Sequence, residues 1–296
     1  MVKVMHSYLR AIGFSKIKNT RDMQQICNVI MSHPTERYFT QMEQNLELME
    51  VRRDFADGMG ICMIGECNEK KEFHLLHYFP YLKGSYETWE ENLVINKRID
   101  SDTYTGMCDD IRLGVSLIFF LQNVVPFVEW RRKGQIPEKD VPVVLSALSL
   151  EGKIILGTQV NEFSREKGRI EQKKKNHLIA EARKGNQEAI NTLTLEDIDS
   201  FSMINRRVKK EDVYSIVASS FVPYGSESDN YSILGTIMEY SYMTNSLTGE
   251  EVCRLSIECN DLIFDLCINA KDLYGVPMVG RRFKGNIWMQ GFIDFK

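Results

Sequence analysis

The stretch 114–130, GVSLIFFLQNVVPFVEW, constrains the fold of this chain more than any other. It is rich in β-branched and aromatic residues, which suits a strand buried on both faces or a buried strand leading into a second element. Gln122 and Asn123 interrupt the run, and Pro126 withholds a backbone donor. Both features argue against one helix through the whole stretch. The run is also too short and too broken to cross a bilayer, which takes roughly 20 apolar residues.

A chain of 296 residues with 43% apolar and 26% charged side chains has the balance of a globular protein. Its net charge of -4 argues against nucleic acid or acidic membranes as partners. The seven cysteines are odd in number, form no CxxC pair and mostly sit in apolar runs. With no apolar signal segment before His6, they read as reduced thiols of a cytoplasmic protein.

Along the chain, residues 6–14 predict a short helix ended by Gly13. Thr20 is placed to cap a second helix over 21–31, with Met23, Ile26, Cys27 and Ile30 on one face and Pro34 beyond its end. Residues 46–55 look extended, with a turn at Asp57-Gly58, and 59–67 and 73–82 read as paired strands. A second hairpin is expected over 141–148 and 153–159, turning at Leu150-Glu151-Gly152-Lys153. From Arg165 to Lys184 the chain carries eight basic and three acidic residues, and Ile170, His177, Leu178 and Ala182 are spaced for a helix. Residues 231–295 return to strand patterns and predict a small antiparallel sheet or partly closed barrel. The resulting expectation is an α+β protein of two antiparallel strand-rich units joined by a helical connector. Its divisions are an N-terminal domain at 1–160, the connector at 161–225 and a C-terminal β unit at 226–296. A weak echo relates the two units: Tyr104, Gly106, Arg112, Gly114 and Gln122 follow Ile95-Asn96 in the order in which Tyr274, Gly275, Arg281, Gly285 and Gln290 follow Ile268-Asn269.

Candidate chemistry is sparse. In 280–285, Gly280 and Gly285 flank Arg281, Arg282, Phe283 and Lys284. Exposed backbone beside guanidinium donors suits a phosphate or carboxylate, and Arg112 is a further candidate contact. The bland reading is a turn whose arginines pair within the chain. Asp109 and Asp110 could form a carboxylate pair at a strand mouth, binding a metal or a basic group, or one of them could serve as acid or base, but neighbours on a strand point to opposite sides and rarely act together. His74 and His77, three apart in a strand, do not share a face. The basic run 165–184 has no aromatic side chain to stack on bases and reads as a solvated helix face. No motif for a metal, a cofactor or a known catalytic class is present, so none is assigned.

Taken together, residues 6–14 (HSYLRAIGF), 114–123, 195–199 (LEDID) and 280–285 with Ile287, Trp288, Gln290 and Gly291 resemble an uncharacterised family of cytoplasmic proteins from anaerobic Firmicutes. The resemblance covers nearly the whole chain and implies a soluble bacterial protein. It carries no known activity and transfers no site residue. Two functions remain: a non-enzymatic binding or regulatory protein, and an enzyme or binding protein for a small anionic ligand held by Arg281, Arg282 and Arg112.

Overall fold

The computed structural model describes residues 6–43, 46–90, 93–99, 101–110, 115–134, 141–156, 178, 181, 186–188, 191–192 and 219–294. After a 3-10 helix at Ser7–Ile12, ended by Gly13 at φ 86, helix α1 runs over Thr20–Ser32. Its cap is Asn19, which accepts from the Asp22 amide, one residue before the predicted Thr20. The buried face is Met23, Ile26, Cys27 and Ile30, as the periodicity requires.

Strands β1 (Glu36–Glu43), β2 (Leu46–Ala56), β3 (Met59–Cys67) and β4 (Phe73–Leu82) form an antiparallel sheet in sequence order. The β3–β4 pair is the predicted hairpin. Next come β5 (Glu87–Glu90), β6 (Val94–Lys97), β7 (Tyr104–Asp110) and β8 (Val115–Leu121). The organising run divides as its polar break demands. Leu117, Phe119 and Leu121 of β8 are fully buried, and past Gln122-Asn123 the chain becomes α2 (Val124–Arg132). Pro126 falls in the first turn of α2, where a missing donor costs nothing.

The remaining strands are β9 (Val141–Ile155), β10 (Ser220–Pro223), β11 (Asn230–Thr244), β12 (Glu251–Cys259), β13 (Leu262–Asn269), β14 (Leu273–Tyr274) and β15 (Arg282–Ile293). They overturn the α+β expectation, because the protein is mostly β. In the larger sheet the order β11–β12–β13–β9–β15 closes when β15 pairs with β11, giving a five-stranded barrel. Its seams are antiparallel except for β13 against β9. β9 precedes residue 160, so the barrel takes strands from both supposed halves, which are not two separate sheets. Most of the predicted connector lies outside the described residues.

The expected turn at Glu151-Gly152 does not form either; β9 runs straight through it. A Cβ on Gly152 would lie 2.2 Å from Cε2 of Phe283 on the neighbouring β15. The glycine therefore makes room for a ring from across the sheet, a use of glycine that a single sequence cannot distinguish from a turn.

A polar seam joins the barrel to the four-stranded sheet. Gln122 Nε2 donates to Leu82 O at 2.9 Å and to Gln290 Oε1 at 2.9 Å, and Gln290 Nε2 donates to Pro80 O at 2.8 Å. The two glutamines that close the echoed stretches thus meet, where β8 pairs with β15. Beside them Arg52, fully buried, donates through Nε to Glu50 Oε1 at 2.7 Å and through Nη2 to Gln122 O at 2.9 Å. Glu50 Oε2 in turn accepts from Val125 N at 3.0 Å, at the start of α2, where a negative charge is favoured. The Arg52 guanidinium lies over the rings of Tyr81 and Phe292, 5.2 and 5.7 Å from their centroids.

Candidate functional site

The predicted anion-binding residues sit where the loop after β14 enters β15. Gly280 has φ 82, and a Cβ added there would meet no atom within 4 Å, so its surroundings are open. Its amide donates to Ile237 O, and Ile237 N donates to Arg281 O, each at 2.8 Å, which ties the loop to β11. The Arg281 side chain donates through Nη1 to Val276 O at 2.8 Å, within its own loop. Arg282 is only 4% exposed and donates through Nε and Nη2 to Leu156 O, both at 3.2 Å. Gly285 lies inside β15, where a Cβ would stand 2.7 Å from Glu151 O. The structure therefore brings Gly280, Arg281 and Arg282 together but gives the two guanidinium groups different surroundings. Asp109 and Asp110 lie on β7, which β8 separates from β15. Arg112 lies outside the described residues.

A second cluster gathers around Trp288 of β15. The ring of His6 is 4.7 Å from that of Trp288, Tyr8 is 5.2 Å away and Phe120 is 4.9 Å away. Trp288 Nε1 donates to Asp229 Oδ2 at 3.0 Å, and Arg98 Nη2 reaches the same oxygen at 2.5 Å. Burial pushes the Asp229 carboxyl above the usual range, opposed by Arg98 and by the Trp288 hydrogen bond. Burial also lowers His6 to about 4, with His77 adding to the effect, and lowers His77 itself to about 4. Nδ1 of His6 and both ring nitrogens of His77 are buried without a hydrogen-bond partner. These are neutral imidazoles packed as rings: His6, just before the 3-10 helix, lies against Trp288 of the barrel, and His77 of β4 stacks on Phe79. No sequence signal unites His6, His77, Asp229 and Trp288, which lie up to 282 positions apart.

Nucleophilic chemistry finds little support. All seven cysteines are buried, and none is in a disulfide. Burial raises Cys27 to about 11, and Cys253 and Cys259 to about 12, which keeps the thiols protonated. Among the described residues no group of three or more His, Cys, Asp or Glu could hold a metal ion. Nor is any helix there long and apolar enough to cross a membrane. A groove of 330 Å³ between α1 and the β3–β4 hairpin is lined by the polar side chains of Gln24, Asn28 and His74 together with Cys27, Met31 and Met63.

The feature that stands out is an edge. β11 pairs with β15 only as far as Thr236, whereas its pairing with β12 continues to Thr244. Among the described residues no strand covers the other side of β11 past the bulge at Met238. Met238, Tyr240 and Tyr242 are 40%, 44% and 48% exposed along this edge. Exposed Val276, Met278 and Val279 adjoin it in the loop bound to Ile237. Natural edge strands are usually protected by lysine, proline or other charged residues; between Tyr240 and Thr248 this chain has no charge and no proline.

Fold and surface together define a five-stranded barrel beside a four-stranded sheet, with one edge of β11 left uncovered among the described residues. The chain belongs to the family described as a domain of unknown function, E. rectale gene description (DUF3881), whose model matches residues 9–291. No curated protein and no solved structure matches it.

Proposed function

We propose that this chain is a non-enzymatic binding or regulatory protein whose contact surface is the free edge of β11 with the adjoining loop 275–281. The observation that carries this reading is the largely exposed, uncharged run from Tyr240 to Thr244, with backbone donors and acceptors on the unpaired side. An extended chain can add to such an edge through main-chain hydrogen bonds, with flanking side chains supplying selectivity. The buried, protonated thiols and the ring-packed histidines support binding over catalysis. The reading of a small anionic ligand retains Arg281 and the open space at Gly280, and here it is secondary because Arg282 is buried against Leu156.

The test is site-specific photo-crosslinking in the producing cell. A benzoylphenylalanine at Tyr240 is expected to give discrete adducts, while the same group at exposed Lys70, in the β3–β4 turn, gives none. Equal yields at the two positions would remove the support for this surface.

A further inference from the structure

We infer that the occupant of the β11 edge is a second copy of this chain, paired antiparallel about Ser241; the inference rests on the binding reading above and names its partner. The backbone supplies the first argument. Asn245 N donates to Glu250 O across the β11–β12 hairpin. Hydrogen-bonded residues alternate along an antiparallel pair, so 243, 241 and 239 also face β12. Tyr240, Tyr242 and Thr244 then turn their N–H and C=O groups to the free side. A two-fold axis at Ser241 sets Tyr240 of one copy opposite Tyr242 of the other, and the reverse. Both are outward-facing residues, so each pair exchanges two N–H···O bonds, about four in all at the centre.

Side chains agree with that register. Glu239 falls opposite the second copy's Met243, so no like charges meet. Tyr240 and Tyr242 already stand on one face, 6.4 Å apart with perpendicular rings, and the pairing extends them into a ladder of four tyrosines. The same axis carries the second copy's Leu247, 47% exposed, towards Met278 and Val279 beside Ile237. That contact enlarges an interface which a short strand pair alone would leave below the roughly 1,200 Å² of a stable association. The assembly also closes at two copies. The opposite side of β11 is occupied by β12, so the contact is isologous and does not propagate into a fibre.

Ser241 provides a register-specific probe. At the axis it faces its own copy in a non-hydrogen-bonded pair, with Cα atoms about 4.5 Å apart, a separation that a disulfide accepts. Under mild oxidation Ser241→Cys is expected to become a covalent dimer. Glu239→Cys, whose copies would stand roughly 14 Å apart along the strand, is expected to stay monomeric on a denaturing gel. The seven native cysteines are buried and add little background. In sedimentation the unmodified protein should have twice the 34.3 kDa chain mass, and Tyr242→Lys should return it to one chain with its circular dichroism unchanged. A monomeric parent protein, equal cross-linking at 239 and 241, or a Tyr242→Lys protein that stays dimeric would each overturn the inference. If the parent is monomeric while the probe at Tyr240 still yields adducts with another protein, the second copy is the wrong occupant and the binding surface stands. If neither occurs, both readings fail.

Discussion

Phe119 should behave as the keystone of β8, and a double-mutant cycle with Gly106 measures this directly. The ring is fully buried and lies over a glycine on each side. A Cβ added to Gly106 on β7 would be 2.2 Å from Phe119 Cζ, and one added to Gly291 on β15 would be 2.3 Å from Cδ2. Phe119→Ala removes the ring and leaves a cavity, at a cost of about 3–5 kcal/mol. Gly106→Ala would normally help a strand by about 0.5–1 kcal/mol, but here the ring must shift, and overpacking costs about 1–3 kcal/mol. In the double variant the new methyl occupies space the ring has vacated. Its own penalty disappears, so the pair should cost about as much as Phe119→Ala alone. The expected coupling is about 2 kcal/mol, within the range for residues in contact. Urea unfolding followed by circular dichroism measures it, provided the m value is unchanged across the four proteins. Additivity within about 0.5 kcal/mol, or a stabilising Gly106→Ala, would show that the glycine does not accommodate the ring.

Three other outcomes are expected. His6 and His77 are lowered to about 4 from 6.5, so between those values the unfolded chain binds more protons than the folded one, and stability falls as pH drops through that window by up to about 1.4 kcal/mol per pH unit for each histidine. His77→Phe should flatten the decline measured by thermal unfolding from pH 7 to 4. Glu50→Ala should cost about 3–5 kcal/mol because it leaves the Arg52 charge buried and unpaired, and combining it with Arg52→Met should recover much of that loss in denaturant unfolding. Arg281→Ala should leave the melting temperature within about a degree while abolishing any phosphate-dependent stabilisation, whereas Arg282→Ala, which removes a side chain only 4% exposed, should lower stability by about 0.5–3 kcal/mol.

Local structure was readable where periodicity and punctuation coincide. The buried face of α1, the β3–β4 hairpin and the break of the central run at Gln122-Asn123 all follow from patterns a few residues long. A sheet or partly closed barrel is expected of 231–295, but the part played by β9 was not readable, because its pairings leave no local mark: β9 lies beside β13 and β15, strands more than a hundred residues later. Gly152 misled for a related reason, since the ring that takes the place of its side chain comes from Phe283. For the candidate site, local charge located the Gly280–Arg282 turn. It could not show that Arg282 points inward, and nothing in the alternation of β11 marks one of its edges as unpaired.

The arrangement of β9 between β13 and β15 also sets a timetable for synthesis. β9 ends at Ile155, and both strands that flank it are encoded after residue 260. At roughly 5–20 residues per second, the ribosome takes on the order of 10 s to deliver them. During that interval a 15-residue strand, buried in the finished protein at Val143, Leu145, Ala147 and Leu148, has none of its barrel neighbours. The β1–β4 sheet, made entirely from residues already emerged, can form in that interval. Aggregation of nascent chains is therefore expected to track exposure of β9, and a chaperone that holds this segment should raise the folded yield more than one that acts after release.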